Sequence, residues 1–261
     1  MKPGGYIFDL DGTVYLGEHP VPGADAAIRA LRARGDRVLF LSNKPIARRE
    51  EYVSKLRRMG IPVELEEVVN SSLVTARYFQ RVCRSGEKVL VVGEEPIREE
   101  LSKHGVLLTE EPAEARYVLL SWDRGFTYDK LNRVFQAWKR GAEIVASNPD
   151  RTCPVAGGEL PDTAALIGAV EAVTGQRVGR VVGKPSSLMA QAALCHLGLK
   201  PALCWMVGDR LETDIRMARE NGLRSALVLT GISTRREAER SPWRPDRILD
   251  SIAEVPQLTS R

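Results

Sequence analysis

Side chains that commonly bind zinc are scarce in this sequence, which has four cysteines and three histidines among 261 residues. The cysteines, Cys83, Cys153, Cys195 and Cys204, show no C-x-x-C spacing, and Cys195 and Cys204 stand among apolar residues. Zinc sites need such ligands at close and regular spacing. We therefore expect free, buried thiols, and we predict that any bound metal ion is held by oxygen.

Long apolar segments are absent as well. The run at 88–93 has the length of a strand and is far shorter than the ~20 residues that span a bilayer. The first residues also lack the apolar region of a signal peptide, so we predict a cytoplasmic protein with no membrane partner. The formal net charge of +4 comes from basic residues interleaved with acidic ones, as at 47–52, and no nucleic-acid-binding signature occurs, so we expect no nucleic acid partner.

The phosphate-binding loop of dinucleotide enzymes is missing too. Those enzymes need G-x-G-x-x-G after the first strand, and here the first strand is followed by Asp9-Leu10-Asp11-Gly12. This sequence therefore excludes a dinucleotide-binding fold of that kind.

Strand and helix patterns alternate along the chain. A buried strand leads into Asp9, helical spacing follows over 22–34, and a second strand runs over 37–41. Ser42 ends this second strand, and Pro45 is suited to the first turn of a helix that would end near Met59. Further strands are predicted at 180–182, 204–207 and 226–229, with helices ending at Leu197 and covering 211–220.

The middle of the chain forms a set of its own. Its strands are predicted at 88–92, 117–121 and 143–146, and its helices at 96–103, 128–140 and 161–174. Alternation of this kind is typical of a parallel sheet covered by helices. We predict an α/β protein with a doubly wound, Rossmann-like parallel-sheet core (1–81 and 178–261) and an inserted, smaller α/β cap domain (82–177).

Polar residues stand at the carboxyl ends of four predicted strands, namely Asp9 with Asp11, Ser42, Lys184, and Asp209 with Asp214. In an open parallel sheet these ends face one crevice. Two acids one residue apart are costly to bury without a cation, and oxygen ligands suit Mg²⁺. The set supplies cation ligands, a carboxylate nucleophile and donors to phosphate oxygens, which are the groups that phosphoryl transfer requires.

Four segments resemble the ordered motifs of the haloacid dehalogenase superfamily: 9–13 (DLDGT), 42–43 (SN), 183–185 (GKP) and 208–214 (GDRLETD). The spacing between them, together with the segments 123–128, 146–150 and 207–211, is similar to the NagD and 4-nitrophenylphosphatase-like branch, which carries an α/β cap between the second and third motifs. The resemblance covers nearly the whole chain. It implies a Mg²⁺-dependent phosphatase that acts on a small phosphorylated metabolite through an aspartyl-phosphate, and it implies a homodimer formed through the cap.

The resemblance also implies roles for the residues of the first and fourth motifs. Asp9 would attack phosphorus, and Asp11, which would also contact the phosphate, would protonate the leaving alcohol and then accept a proton from water. Mg²⁺ would bind the side chains of Asp9 and Asp209 and the backbone carbonyl of Asp11. Asp214 would hold a metal-bound water or orient Lys184, and an ordinary acid in the first turn of a helix explains it nearly as well.

Phosphate would be bound by the second and third motifs. Ser42 would donate its hydroxyl, backbone N–H groups around Asn43 would donate from the start of the following helix, and Lys184 would supply a compact positive charge. Ser42 is equally suited to a helix N-cap, and the two roles are compatible.

Two stretches depart from the pattern of the branch. Lys44 stands where related sequences mostly carry an uncharged residue, so it either adds charge beside the phosphate or points to solvent. The segment 157–163 differs from the small turn that relatives often have, so their substrate preferences do not transfer. We take Asp123, Arg124, Asn148 and Asp162 as candidate cap residues that set specificity.

Two alternatives remain open at this point. A phosphomutase or phosphotransferase would use the same site with another acceptor, and a non-catalytic phosphometabolite-binding protein would use the same fold. Sugar phosphates, glycerol phosphate, phosphoglycolate and nucleoside monophosphates are all compatible substrates, and an aryl phosphate is expected to serve in vitro.

Overall fold

The computed structural model describes residues 3–155 and 157–258. The strands in these ranges are β1 (Gly5–Phe8), β2 (Tyr15–Leu16), β3 (His19–Pro20), β4 (Arg37–Ser42), β5 (Val68–Asn70), β6 (Lys88–Val92), β7 (Leu107–Thr109), β8 (Ala115–Leu120), β9 (Glu143–Ala146), β10 (Thr152–Val155), β11 (Gly158–Pro161), β12 (Arg180–Val181), β13 (Cys204–Gly208), β14 (Arg224–Val228) and β15 (Arg247–Leu249). The α-helices are α1 (Ala24–Ala33), α2 (Arg49–Arg58), α3 (Ser71–Val82), α4 (Glu95–Lys103), α5 (Tyr128–Lys139), α6 (Thr163–Thr174), α7 (Ser187–Leu197), α8 (Arg216–Glu220) and α9 (Arg235–Arg240). Short 3₁₀-helices lie at Leu65–Glu67, Pro201–Leu203 and Ile252–Gln257, and a π-helical turn lies at Leu211–Ile215.

The chain divides into two compact units. Among the described residues, the first unit comprises those within Met1–Ser42, Arg49–Val69 and Lys184–Arg261, and the second comprises those within Asn43–Arg48 and Asn70–Gly183. The predicted boundaries at 81/82 and 177/178 both fall inside the second unit, because α3 packs on α4 and β12 pairs with β9. The role of the second unit as a specificity cap stays a prediction.

A six-stranded sheet forms the centre of the first unit, in the order β15-β14-β13-β1-β4-β5. The central strand β1 pairs in parallel with β13 on one side and with β4 on the other, and all four of its residues are buried. A parallel strand that is covered on both faces needs an uninterrupted apolar run, which is what the segment 5–8 supplies. The predicted α/β fold with a parallel-sheet core is confirmed.

The second unit contains a separate five-stranded sheet, in the order β12-β9-β8-β6-β7, and every pairing in it is parallel. Its apolar core combines the inner faces of the strands with those of α5 and α6, and it includes Leu90, Val118, Leu120, Val134 and Leu166. The hairpin of β10 and β11 is antiparallel and was not predicted from the sequence.

The strand predicted at 180–182 belongs to this second sheet, so its expected place in the core sheet was wrong. Arg180 and Val181 lie opposite Val145 and Ala146 of β9. The pairing continues beyond the strand, because the Gly183 N–H donates to the Ser147 carbonyl at 2.8 Å. Lys184 is then the first residue of the returning first-unit segment.

The predicted helix after Ser42 starts later than expected. Residues 43–48 are not helical, and α2 begins at Arg49. The carbonyls of Asn43 and Pro45 instead accept hydrogen bonds from the hydroxyls of Ser71 and Ser72, at 2.6 and 3.2 Å. Pro45 favours this extended path, because it lacks an N–H group and keeps the residue before it out of the helical region. Ser42 is therefore not a helix N-cap.

Among residues 3–155 and 157–258, every helix is too short or too polar to span a bilayer. The four cysteines all lie within the described ranges, and none of them forms a disulfide bond. Cys153 and Cys204 are buried as expected and Cys83 is half-buried, but Cys195 is exposed, and its predicted burial was wrong. The buried positions of α7 are Met189, Ala190, Ala193 and Leu197, which leave Cys195 on the outer face of the helix.

The thiols should differ in reactivity as a result. We expect iodoacetamide at pH 8 to alkylate Cys195 first, because burial raises the pKa of Cys83 and of Cys204 to about 11 and keeps both thiols protonated. Peptide mass spectrometry over a time course measures the order of labelling. Faster modification of Cys204 than of Cys195 in the folded protein would contradict this assignment.

Candidate active site

Lys184 joins the ends of two neighbouring strands of the core sheet. Asp9 follows β1 and extends its pairing with β13, because its N–H donates to the Val207 carbonyl at 2.9 Å. The Lys184 ammonium (Nζ) lies 2.5 Å from Asp9 Oδ1 and 2.7 Å from Asp214 Oδ1, and it donates to the Leu41 carbonyl of β4 at 3.2 Å. Residues that are 175 positions apart in the chain are thus in direct contact.

These charged groups are shielded from water. Lys184 is 2% exposed, Asp209 and Asp214 are each 1% exposed, and Asp9 is 8% exposed. Burial raises the pKa of Asp9 well above its ordinary value; Lys184 opposes the rise, and Asp214 and Asp209 add to it. Burial alone would lower the pKa of Lys184, but the carboxylates of Asp214 and Asp9 outweigh it and raise that pKa, so the ammonium stays charged.

Asp209 is held by backbone groups and keeps one oxygen unoccupied by protein donors. The N–H of Ile232 donates to Asp209 Oδ2 at 2.8 Å, while Oδ1 is buried and has no hydrogen-bond partner. One carboxylate oxygen from each of Asp9, Asp209 and Asp214 lies within 4.8 Å of the others. Burial and the nearby Asp214 raise the pKa of Asp209 to about 7. A buried carboxylate oxygen without a donor, beside two further carboxylates, fits a hard divalent cation such as Mg²⁺.

The π-helical turn at Leu211–Ile215 directs Asp214 back toward β13. Asp214 Oδ2 accepts the Arg210 N–H at 3.1 Å, and Oδ1 forms the ion pair with Lys184. A Cβ atom on Gly208 would lie 2.3 Å from the Asp214 carboxyl carbon, so only glycine leaves room for this arrangement. The structure therefore contains the contact on which the predicted orienting role of Asp214 depends.

Asp11 lies beside the turn that follows β1. It accepts a hydrogen bond from the Tyr15 hydroxyl at Oδ2, with a distance of 3.3 Å, and the Gly12 N–H donates to the Tyr15 carbonyl at 2.8 Å. Gly12 has a φ angle of +89°, a conformation that favours glycine. The Asp11 side chain is thus bound to the turn through Tyr15, whereas the Asp9 side chain contacts Lys184.

Ser42 and Asn43 belong to different units. Ser42 is buried at the end of β4 in the first unit, and Asn43 is buried at the start of a second-unit segment. Since no helix follows them directly, a helix N-terminus at Asn43 is no part of their surroundings. Their predicted contacts with phosphate stay predictions.

Two of the four specificity candidates are engaged in ion pairs within the second unit. The Asp123 carboxylate accepts hydrogen bonds from the Lys130 ammonium at Oδ2 (2.6 Å) and from the Gly125 N–H at Oδ1 (2.9 Å). Arg124 forms a two-pronged contact with Glu94, with both distances at 2.7 Å. Both residues follow β8 and therefore lie at the carboxyl edge of the second sheet, and their role in specificity stays a prediction.

The other two candidates are parts of a buried hydrogen-bond network. Asn148 donates to Asp150 and Asp162 at 3.1 Å each, and its carbonyl accepts the hydroxyls of Ser147 and Thr163 at 2.8 and 2.7 Å. Asp162 also caps α6 by accepting the Thr163 N–H. Both the N–H groups and the carbonyl of the Asn148 amide are hydrogen-bonded to protein groups, so a role in stabilising the second unit explains this side chain.

Lys44 is half-buried rather than directed into solvent. Its ammonium lies 5.8 Å from the centroid of the Trp122 ring, within the second unit. The sequence missed a different part of the site, namely residues 230–233, which contact Gly12 and Asp209. The signal that could have identified them is Gly231, two residues beyond the predicted strand at 226–229.

Comparisons with known proteins identify the family of the chain. Residues 6–107 match the haloacid dehalogenase-like hydrolase family, and residues 181–255 match the HAD-hydrolase-like family. The sugar-phosphatase AraL of Bacillus subtilis is 41% identical over 258 residues, covering 99% of this chain and 94% of that protein. Human glycerol-3-phosphate phosphatase is 33% identical over 285 residues, covering 95% of this chain and 88% of that protein.

Solved structures extend the similarity to the whole fold. The p-nitrophenyl phosphatase of Archaeoglobus fulgidus superposes with a TM-score of 0.91 at 31% identity, covering 98% of this chain and 99% of that one. NagD of Escherichia coli K-12 superposes with a TM-score of 0.88 at 29% identity, covering 97% and 98%. The chain belongs to the haloacid dehalogenase-like hydrolase family. Within that family it is a phosphoric monoester phosphatase of the NagD and 4-nitrophenylphosphatase-like branch, so the predicted resemblance and enzyme class are confirmed.

Proposed function

We propose that this phosphatase hydrolyses small phosphorylated metabolites through a covalent intermediate on Asp9, with Mg²⁺ as its cofactor. The observation that carries the proposal is the buried cluster of Asp9, Lys184, Asp209 and Asp214 at the carboxyl edge of the core sheet. A nucleophile, a fixed ammonium and cation ligands in one place are needed for phosphoryl transfer, whereas binding alone needs no nucleophile.

The metal ligands that we propose are the side chains of Asp9 and Asp209 and the backbone carbonyl of Asp11. Asp209 Oδ1 is the strongest candidate metal ligand, because it is buried and accepts no hydrogen bond from the protein. Mg²⁺ bound there would offset the negative charge of the carboxylates and of the substrate, so that one anion can approach another.

Each chemical step then falls to a residue of this chain. A carboxylate oxygen of Asp9 attacks phosphorus, the bond between phosphorus and the ester oxygen breaks, and Asp11 delivers its proton to the leaving alcohol. Asp11 next takes a proton from water, the water oxygen attacks phosphorus, and the bond to Asp9 breaks to release inorganic phosphate. Lys184 keeps Asp9 oriented through its 2.5 Å contact with Oδ1 and places positive charge beside the phosphoryl oxygens.

Sugar phosphates and glycerol phosphates are the substrates that we propose first. The named relatives include a sugar-phosphatase, glycerol-3-phosphate phosphatases and a dihydroxyacetone phosphatase. A 5′-nucleotidase is a relative as well, so nucleoside monophosphates and phosphoglycolate belong in the same test. We propose the second unit as the cap that selects the leaving group, with Asp123 and Arg124 as the foremost candidate specificity residues. A cytoplasmic location and a homodimer stay predictions.

The test is a comparison of kcat/KM across a panel of phosphate monoesters, including 4-nitrophenyl phosphate, with and without prior removal of metal by EDTA. We expect phosphate release that is lost on chelation and restored by added Mg²⁺. Equal turnover after complete metal removal would contradict the Mg²⁺ proposal. Conversion of a substrate to an isomer without phosphate release would instead establish a phosphomutase.

A further inference from the structure

The segment formed by residues 230–233, here called the 230–233 loop, follows β14 and contacts both acidic motifs of the first unit. The Thr230 hydroxyl donates to the Gly12 carbonyl at 2.6 Å. The Ser233 N–H donates to the Asp209 carbonyl at 3.1 Å, and the Ser233 hydroxyl accepts the Leu211 N–H at 3.2 Å. The loop thus connects the turn after β1 with the segment after β13.

The closest contact of the loop is with the Asp209 carboxylate itself. The Ile232 N–H donates to Asp209 Oδ2 at 2.8 Å, while Asp209 Oδ1 is buried without any hydrogen-bond donor. A Cβ atom on Gly231 would lie 1.9 Å from Asp209 Oδ2 and 2.4 Å from the carboxyl carbon. The backbone can approach this carboxylate only because residue 231 has no side chain.

We propose that the 230–233 loop positions Asp209 for divalent-cation binding and thereby sets the affinity of the chain for Mg²⁺. The backbone N–H of Ile232 occupies one oxygen of the carboxylate and fixes its rotation, so the other oxygen is the one presented to the cation. The link from Thr230 to Gly12 holds the turn that carries Asp11 at a fixed distance from the same carboxylate. The inference rests on the proposed function only in assigning Asp209 as a metal ligand, and the loop residues are positioning residues.

A pair of substitutions at one position separates the N–H donor from the side chain. Ile232→Pro removes the donor to Asp209, whereas Ile232→Ala keeps it and shortens a side chain that is 43% exposed. Gly231→Ala forces the carboxylate to move, and Gly168→Ala is its matched control, because a Cβ atom at Gly168 meets nothing within 4 Å.

The readout is Mg²⁺ titration by isothermal calorimetry of the EDTA-treated, full-length protein, with circular dichroism to verify folding. We expect Ile232→Pro and Gly231→Ala to bind Mg²⁺ about 10- to 100-fold more weakly than the wild type, the usual cost of losing a group that orients a metal ligand. Ile232→Ala and Gly168→Ala should bind as the wild type does. In activity assays, the Mg²⁺ concentration for half-maximal rate should rise in parallel, while KM at saturating Mg²⁺ stays near the wild-type value.

The inference is overturned if folded Ile232→Pro and Gly231→Ala bind Mg²⁺ as tightly as their controls, or if the wild type binds no Mg²⁺. Should Ile232→Pro fail to fold, Gly231→Ala and Ser233→Ala decide the matter by the same titration. A wild type that binds Mg²⁺ but releases no phosphate from any monoester refutes the proposed function and leaves the inference on the loop standing.

Discussion

Asp9→Asn is expected to lower kcat for 4-nitrophenyl phosphate by about 10⁴-fold or more, on the scale seen when a covalent nucleophile is removed from other enzymes. The amide has the shape of the carboxylate but cannot form the aspartyl-phosphate. The variant loses one of the two carboxylates that raise the pKa of Lys184. It should nevertheless remain folded, because Lys184 keeps its 2.7 Å ion pair with Asp214.

The measurement is single-turnover and steady-state phosphate release at saturating Mg²⁺, with circular dichroism on the same sample. Asp36→Asn is a suitable control, since it makes the same chemical change at an aspartate that pairs with Arg34 at 2.7 Å and whose side chain is 8% exposed. Undiminished turnover by folded Asp9→Asn would refute the covalent role of Asp9.

Lys184→Met is expected to reduce the free energy of unfolding by roughly 3–5 kcal/mol in the absence of Mg²⁺, the typical cost of removing one partner from a buried ion pair. Three carboxylates would then share a buried space without their ammonium. We also expect kcat to fall at least about 100-fold, because a preorganised donor to the phosphoryl group is lost. Added Mg²⁺ should restore part of the stability by binding the same carboxylates.

Urea unfolding and phosphate release measure the two effects. Lys88→Met is the matched control, because Lys88 forms a 2.8 Å pair with Glu114 in which the two side chains are 37% and 48% exposed, and such pairs contribute about 1 kcal/mol or less. Equal stability losses in the two variants would contradict the assignment of Lys184 as the essential counter-charge of the cluster.

The convergence of Asp9 and Asp209 could be predicted from the sequence because it follows from a local pattern, whereas Lys184 does not fit that pattern, since the strand before it, β12, pairs in the second sheet. An apolar run that ends in a polar residue marks the end of a buried strand, and parallel topology brings such ends together. The position of Cys195 could also have been deduced, because Met189, Ala193 and Leu197 recur at helical spacing and leave residue 195 on the opposite face.

Other features depend on partners that are distant in the sequence. The late start of α2 reflects hydrogen bonds from Ser71 and Ser72, which no local preference of residues 43–48 reveals. The sheet to which β12 belongs depends on two paired residues, too few to carry a pattern of their own. The contact of Gly231 with Asp209 requires knowing that β14 lies next to β13.

Lys184 is one ammonium group beside the three carboxylates of Asp9, Asp209 and Asp214. This imbalance of charge affects the order in which ligands bind. An ionised cluster of this composition repels an incoming phosphate ester, since the acids outnumber the base in a region from which water is largely excluded. Ester binding is then favourable only after the surplus negative charge has been neutralised. The two ligands should therefore bind in a compulsory order, in which the divalent cation binds first and the phosphorylated metabolite second.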